Sequence, residues 1–600
     1  MNIREVLQEQ HSGDFKQLDV IFSDSKRLLV EAPAGCGKTT TMVSRVAYLI
    51  SQRAIPINKK ILALTFSVNA AYKMKKDVYE KLPALRLEES SGPQTLNKIM
   101  TITNYHGLAR RILKNYGYLL HDSLSHIEEL DSVGDNNEQS LDKAMQDKHI
   151  LLTPDEKKRV LLFSNSVVNH DESSIASNIE EYNKIIISKF LPCGCLSFNS
   201  LLSLVIELFK KNPILLAFYQ KLFPMIIIDE FQDTNVLSWT LVQQLINDDT
   251  HLLFMGDSLQ RIYGFIGAIP NIMDDASDMY GMERIELDKN YRFAKNINML
   301  NLDKNIRENA RNPLCPSVSC VANMDFYLAD TQESEVDWII NNIQADNTRT
   351  AILVQYAYNN FNLELLLDAL NTRGIPFFYA LFTDEDERYI EFHKTAERLF
   401  NETVSSSHSH LVSERLLESV LNKIKAEYKN ETSKLIDSLI QLTKAFFGKV
   451  ICEYRFLESD EKIAYIRDVL KSHSLKQNMD AIEASLFVST VHGAKGLEWD
   501  KVIMPDMEKM VFPSYMALCK DCINSKSNKY ENGMCKLLVK NFGPIDKYLE
   551  ELSVFYVAVT RTKGIIIFTA SKEGFDNKNM QKPSIISCLL NLPGLSIQRL

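Results

Sequence analysis

Ala32-Pro33-Ala34-Gly35-Cys36-Gly37-Lys38-Thr39 follows the apolar stretch Arg27-Leu28-Leu29-Val30 and leads into a helical pattern from Thr40 to Ile50. A strand, a glycine-bearing turn and a helix opening on Lys-Thr make up a P-loop, here with Ala32 where its first glycine usually stands. Glycine lets such a turn aim its backbone N–H groups at phosphate oxygens. Lys38 then reaches the β and γ phosphates, and the Thr39 hydroxyl can ligate Mg²⁺. Ala32, Pro33, Ala34, Gly35, Cys36, Gly37, Lys38, Thr39 and Thr40 are therefore expected to line a nucleotide site. A glycine-rich turn alone would read as a surface loop; the strand before it, the helix after it and the Lys-Thr pair argue against that.

Phosphoryl chemistry at a P-loop needs carboxylates nearby, and Met225-Ile226-Ile227-Ile228-Asp229-Glu230 ends an apolar run on two of them. Asp229 is expected to hold Mg²⁺ through its water shell. Glu230 is placed to orient and deprotonate the water that attacks the γ phosphate.

Working outward, short apolar runs at 61–64, 225–228 and 252–255 alternate with helical patterns, and a second set at 351–354, 502–504 and 565–568 repeats the rhythm. Such alternation predicts two α/β domains with buried parallel sheets. Residues 107–196 and 396–480 carry helical periodicity and charge and read as helical insertions. The expected division is 1–106 with 197–285 for the first domain and 286–395 with 481–600 for the second, each interrupted by one insertion.

Lys plus Arg number 68 against 77 Asp plus Glu, a net charge of −9, so a nucleic acid would have to be held by local basic or aromatic patches. No apolar run approaches the roughly 18 residues needed to span a bilayer, which predicts no membrane partner. The N-terminal residues lack the basic-then-apolar pattern of an export signal, so a cytoplasmic location is expected. Ten scattered cysteines suggest reduced thiols. Cys519 and Cys522 with Cys535 have zinc-like spacing but lack a fourth ligand, and read as a reduced loop.

Asp229-Glu230-Phe231-Gln232-Asp233-Thr234-Asn235 resembles motif II of superfamily 1 helicases of the UvrD and Rep kind, and other stretches follow in that family's order. Ile61 to Ser67 with Asn69-Ala70-Ala71 resembles motif Ia, and Asn104-Tyr105-His106-Gly107 the next DNA-contacting motif. Gly256-Asp257, Gln260 and Ile262-Tyr263-Gly264-Phe265 resemble motif III, and Leu287 to Arg292 motif IV. Val491 to Trp499 and Val557-Ala558-Val559-Thr560-Arg561 resemble motifs V and VI.

The resemblance implies two RecA-like P-loop domains that hydrolyse ATP with Mg²⁺ in the cleft between them, closing on binding and reopening on hydrolysis. It implies that Gln17 reads adenine, Tyr291 stacks on it, and Gly496 and Glu498 help hold the nucleotide. Gln260 would sense the γ phosphate, and Arg292 and Arg561 would bring cationic charge to it. Single-stranded DNA, or a duplex with a single-stranded end, would lie on Thr65, Phe66, Asn69, Tyr105, His106, Tyr263, Phe265, Thr490 and His492. The polarity implied is 3′ to 5′.

Thr40 and Ile266 depart from the family by standing where arginine is common, and Glu550-Glu551-Leu552-Ser553 lacks an arginine often found before motif VI. The short 396–480 interval and the Val30-Glu31-Ala32-Pro33-Ala34-Gly35 opening resemble the small UvrD-type proteins of anti-phage defence, such as the Gabija helicase-like subunit. There the partner is a nuclease of the OLD type. The alternative reading is a DNA- or nucleotide-sensing regulatory ATPase that activates such a nuclease, with little unwinding of its own.

Overall fold

Ile61–Thr65 and Met225–Ile228 are buried along their whole length. Near-continuous apolar character is what a parallel strand covered on both faces requires. The computed structural model describes residues 3–84, 97–313, 315–344, 348–358, 360–383, 386–407, 411–517, 545–575 and 581–600. The chain divides into two units. One comprises Met1–Lys289, His393–Val420 and Gly448–Ser474; the other comprises Asn290–Phe392, Leu421–Phe447 and Leu475–Leu600.

The first unit is built on strands β1 (Arg27–Glu31), β2 (Ile61–Thr65), β3 (Met100–Asn104), β4 (Met225–Ile228), β5 (His251–Gly256) and β6 (Glu283–Glu286). They lie in the order β3-β2-β4-β5-β1-β6, and every pair is parallel. All six carboxyl ends therefore emerge at one edge, where open α/β sheets bind ligands. Helices α1 (Phe15–Phe22), α2 (Lys38–Ser51), α3 (Val68–Ala84) and α4 (Tyr105–Tyr116) frame that edge in sequence. Side chains alternate across the sheet. Leu62, Leu64, Ile226, Ile228 and Phe254 enter one core, while Ile61, Ala63, Ile227, Leu253 and Met255 enter the other. The first core continues into 107–196 through Phe163, Tyr182 and Phe190, so that helical stretch is packed onto the sheet it interrupts.

The second unit holds strands β7 (Ala322–Ala329), β8 (Thr350–Val354), β9 (Phe378–Ala380), β10 (Leu486–Thr490), β11 (Trp499–Met504), β12 (Thr562–Ser571) and β13 (Leu595–Arg599). Their order is β9-β10-β8-β11-β12-β7-β13, again parallel throughout. The two-sheet α/β architecture read from the sequence is the one observed.

The stretch 396–480 contributes to both units and does not stand as one of its own. The physical reason within the first unit is aromatic packing on α3. Tyr465 stacks on Tyr72 with ring centroids 3.8 Å apart, Phe456 stacks on Tyr79 at 4.4 Å, and Tyr454 meets Tyr72 edge-on. Cys519, Cys522 and Cys535 lie outside the described residues. Among the described residues no helix is long and apolar enough to cross a membrane.

Candidate functional site

At the carboxyl edge of β1 the chain turns through Ala32–Gly37 before α2 begins at Lys38. Gly35 and Gly37 take φ of +84° and +78°, a left-handed conformation that costs glycine little and other residues more. Gly37 occupies the N-cap without any side chain to accept from the first N–H groups of α2. Those donors and the helix dipole make the turn a built anion site. The Ala32 N–H donates to the Gly256 carbonyl at 2.8 Å, tying the loop to the end of β5.

Lys38 Nζ lies 3.0 Å from Asp229 Oδ1 and also pairs with Glu230. Burial opposes the Lys38 charge, but the two carboxylates outweigh it and hold the ammonium pKa above its ordinary value. Burial also raises the Asp229 pKa, with Lys38 pulling the other way. The Asp229 N–H donates to the Leu64 carbonyl at 2.9 Å, which locks the end of β4 beside β2. Glu230 then breaks the strand with φ of +53°, unusual for a residue bearing a side chain and typical of functional turns.

A relay holds that strained residue. Gln232 Nε2 donates to Glu230 Oε2 at 2.6 Å, Gln232 Oε1 accepts from the Asp257 N–H at 3.0 Å, and Gln260 Nε2 donates to Asp257 Oδ2 at 2.7 Å. Gln232 and Asp257 were not foreseen as site residues, although both stand inside the quoted motifs, and that position was the signal available. Gly256 is required by proximity, because a Cβ there would meet Gln232 Oε1 at 2.5 Å.

Gln17 is 3% exposed and touches the loop directly, its Nε2 donating to the Cys36 carbonyl at 3.0 Å. That contact leaves Gln17 Oε1 to accept from His11 Nδ1 at 2.5 Å, while His11 Nε2 meets Ser44 Oγ at 2.8 Å. Burial lowers the His11 pKa, favouring the neutral ring that this arrangement needs. His11 was missed in the sequence because nothing local marks it. Thr39 and Thr40 open α2 half-buried, and Thr40 Oγ1 accepts from Lys81 Nζ at 3.2 Å.

Within the second unit, Arg292 pairs with Glu498 and donates to the Thr560 carbonyl. Arg561, 3% exposed, donates to Val557 O at 3.0 Å, Leu497 O at 3.2 Å and Thr560 Oγ1 at 2.9 Å. The residues quoted from motifs IV, V and VI thus meet around Thr560. Gly496 takes φ of +85°, and Tyr291 is 46% exposed.

Two family comparisons match this chain in succession. Residues 14–281 match the UvrD/REP helicase N-terminal domain and residues 382–573 match the UvrD-like helicase C-terminal domain. The chain belongs to the UvrD/Rep helicase family. DNA helicase II of Rickettsia typhi is 26% identical over 93% of this chain and 92% of its own length. The ATP-dependent DNA helicase PcrA of Bacillus subtilis is 31% identical over 47% of this chain and 38% of its own length. A probable DNA helicase II homolog of Mycoplasma genitalium is 24% identical over 93% and 84% respectively.

Against that UvrD/Rep pattern, three expected DNA contacts are placed otherwise. Thr65 is fully buried at the end of β2, and Tyr105 is 4% exposed, its ring in the core and its hydroxyl 2.9 Å from Thr234 Oγ1. Asn69 is 9% exposed; its Nδ2 donates to Ser474 O at 2.9 Å and its Oδ1 accepts from the Tyr465 hydroxyl at 3.0 Å. Burial encloses the Thr65 side chain, and long-range partners claim those of Asn69 and Tyr105, so in this structure none of the three offers its side chain to a strand. Phe66 and Tyr263 do come together, stacked at 4.9 Å with their planes 16° apart, and both are half-buried. His106 packs edge-on against Phe198, and burial with the nearby Arg110 charge lowers its pKa to about 4, so it carries no cation near neutral pH. Thr490 and His492 are half-buried at the end of β10. The Phe265 side chain lies outside the described residues.

Proposed function

We propose that this chain is an ATP-driven DNA translocase and helicase of the UvrD/Rep type, with ATP held at the Ala32–Thr39 turn. The observation that carries the reading is Lys38 resting on Asp229 and Glu230, with Glu230 braced by Gln232. In the proposed cycle the incoming phosphates take Lys38 from its carboxylates. Glu230, released from that pair yet still held by Gln232, accepts the proton of the attacking water. Gln260 reports the γ phosphate to Asp257 and so to Gln232, the route the hydrogen bonds trace. Arg292 and Arg561 supply cationic charge to the γ phosphate, a contribution worth ~10³ to 10⁵ in rate where arginine fingers have been measured.

Thr39 and Asp229 are hard oxygen donors that would hold Mg²⁺, which would supply positive charge against the charge developing on the phosphates. Phe66 and Tyr263, stacked on each other, form the stacking platform for single-stranded DNA in this reading, which keeps Phe265, Thr490 and His492 as further expected contacts. Such stacking is worth ~1–3 kcal/mol per base and lets an acidic chain hold a polyanion.

The reading extends to 3′-to-5′ polarity and to a place in anti-phage defence beside an OLD-type nuclease; the short 396–480 interval supports the latter. The deciding experiment measures ATP turnover with and without a single-stranded oligonucleotide, using Lys38→Ala as the inactive control. Stimulation by DNA supports the motor, and its absence overturns it. Unwinding of 3′-tailed but not 5′-tailed duplexes supports the polarity. Copurification with a nuclease supports the defence role.

A further inference from the structure

Lys81 stands in the last turn of α3, and its ammonium reaches across to α2, donating to Thr40 Oγ1 at 3.2 Å. A lysine near a helix C-terminus is favourable for its own helix. That does not explain why the amine crosses to the first turn of α2, where uncapped N–H groups and the helix dipole already gather positive charge. An anion arriving there would meet the ammonium and those N–H groups together. Among the described residues its polar contact is the Thr40 hydroxyl, a neutral group, and no carboxylate pairs with it.

The surroundings indicate which part of a nucleotide that anion belongs to. Lys81 is close enough for its charge to act on His11, which holds Gln17 against the Cys36 carbonyl. On the other side of the same turn, Lys38 and its carboxylates mark the β and γ phosphate end. Lys81 therefore sits on the Gln17 side of the P-loop, the side that the nucleotide-site reading gives to the base, one residue beyond the Lys38-Thr39 pair. The phosphate next to the ribose falls there. The chain carries Thr at position 40, so the first turn of α2 has no cation of its own after Lys38.

We propose that Lys81 is a nucleotide-binding residue whose ammonium turns from Thr40 onto the α phosphate of bound ATP or ADP. The proposal rests on the nucleotide-site reading above. Its contact is shared by di- and triphosphate and is made equally before and after cleavage, so it strengthens binding without selectively favouring the transition state.

The test compares the full chain with Lys81→Met and Lys81→Arg. It measures ATP and ADP dissociation constants by titration, KM and kcat with saturating oligonucleotide, and the unfolding temperature without nucleotide. Lys81→Met should weaken ATP and ADP alike by on the order of tenfold, the scale of one charge-assisted contact. The loss should fall on KM rather than kcat, leave the unfolding temperature in place, and be largely restored in Lys81→Arg. Unchanged dissociation constants in Lys81→Met, with wild type binding both nucleotides, overturn the proposal alone. Weakening of ATP but not ADP overturns the α-phosphate assignment. A drop in unfolding temperature that accompanies the lost affinity and persists in Lys81→Arg makes Lys81 a structural residue and overturns it as well. A wild-type chain that binds neither nucleotide overturns both this proposal and the site reading beneath it.

Discussion

Gly256→Ala adds a single methyl group at the end of β5, far in sequence from the residues it disturbs. The new Cβ would lie 2.5 Å from Gln232 Oε1 and 3.2 Å from Met273 Sδ, both sub-contact distances. Gln232 is 1% exposed and fixed at both ends, so its carboxamide has no solvent to move into. It must leave either the Asp257 N–H or Glu230. Losing a hydrogen bond to a charged group costs about 1.5–3 kcal/mol, and applied to the barrier that is a fall in kcat of about 10- to 150-fold. The added methyl meets Gln232 and Met273 and leaves the Gly256 carbonyl to keep its bond to the Ala32 N–H, so affinity for ATP should change by less than about twofold. Steady-state turnover at saturating oligonucleotide and an equilibrium ATP titration measure the two quantities. Gln232→Ala removes the clashing atom, so the double variant should be no slower than Gln232→Ala alone. Wild-type kcat in Gly256→Ala, or fold-losses that multiply in the double variant, would refute the relay from Asp257 through Gln232 to Glu230.

Glu230→Gln should keep ATP binding while lowering turnover by ~10²–10⁴, the usual contribution of a positioned general base, read by single-turnover hydrolysis beside a binding titration. Phe66→Ala should weaken single-stranded DNA by roughly 1–3 kcal/mol and raise the oligonucleotide concentration for half-maximal ATPase stimulation, with basal turnover tracked in parallel. Asp135 is fully buried among Tyr182, Ser164 and Asn199, and burial pushes its pKa up to about 6 from 3.8 despite those hydrogen bonds. The folded state therefore holds the proton more tightly than the unfolded chain. This group's stabilisation is complete below the unfolded pKa and is lost as pH rises through about 6, a change on the order of 3 kcal/mol. Asp135→Asn should remove that slope, so denaturant unfolding should show the variant gaining on wild type between pH 4.5 and 7.5; parallel pH curves would contradict the account.

Local chemistry at the P-loop was legible because it is contiguous: an apolar run, two glycines at left-handed positions, and Lys38-Thr39 at a helix start lie within a few residues of one another. The Asp229-Glu230 pair was legible for the same reason, and so was the parallel α/β class, since doubly covered strands must read as continuous apolar runs. Other features depend on residues far apart in the chain. Tyr105 and Phe66 are both aromatics at strand ends, yet Thr234 and the sheet core take the first while Tyr263 stacks on the second. Asn69 is a plain polar residue until Ser474 and Tyr465 arrive from the second helical stretch and occupy its amide. Gln17, His11 and Ser44 join only when α1 is laid against α2, and Lys81 meets Thr40 only because β2 places α3 beside it. The order of residues determined which groups could do phosphoryl chemistry and which runs had to be buried. Packing alone decided which polar and aromatic side chains were left to face a ligand, because satisfying buried donors and excluding water from rings are contests settled between distant segments.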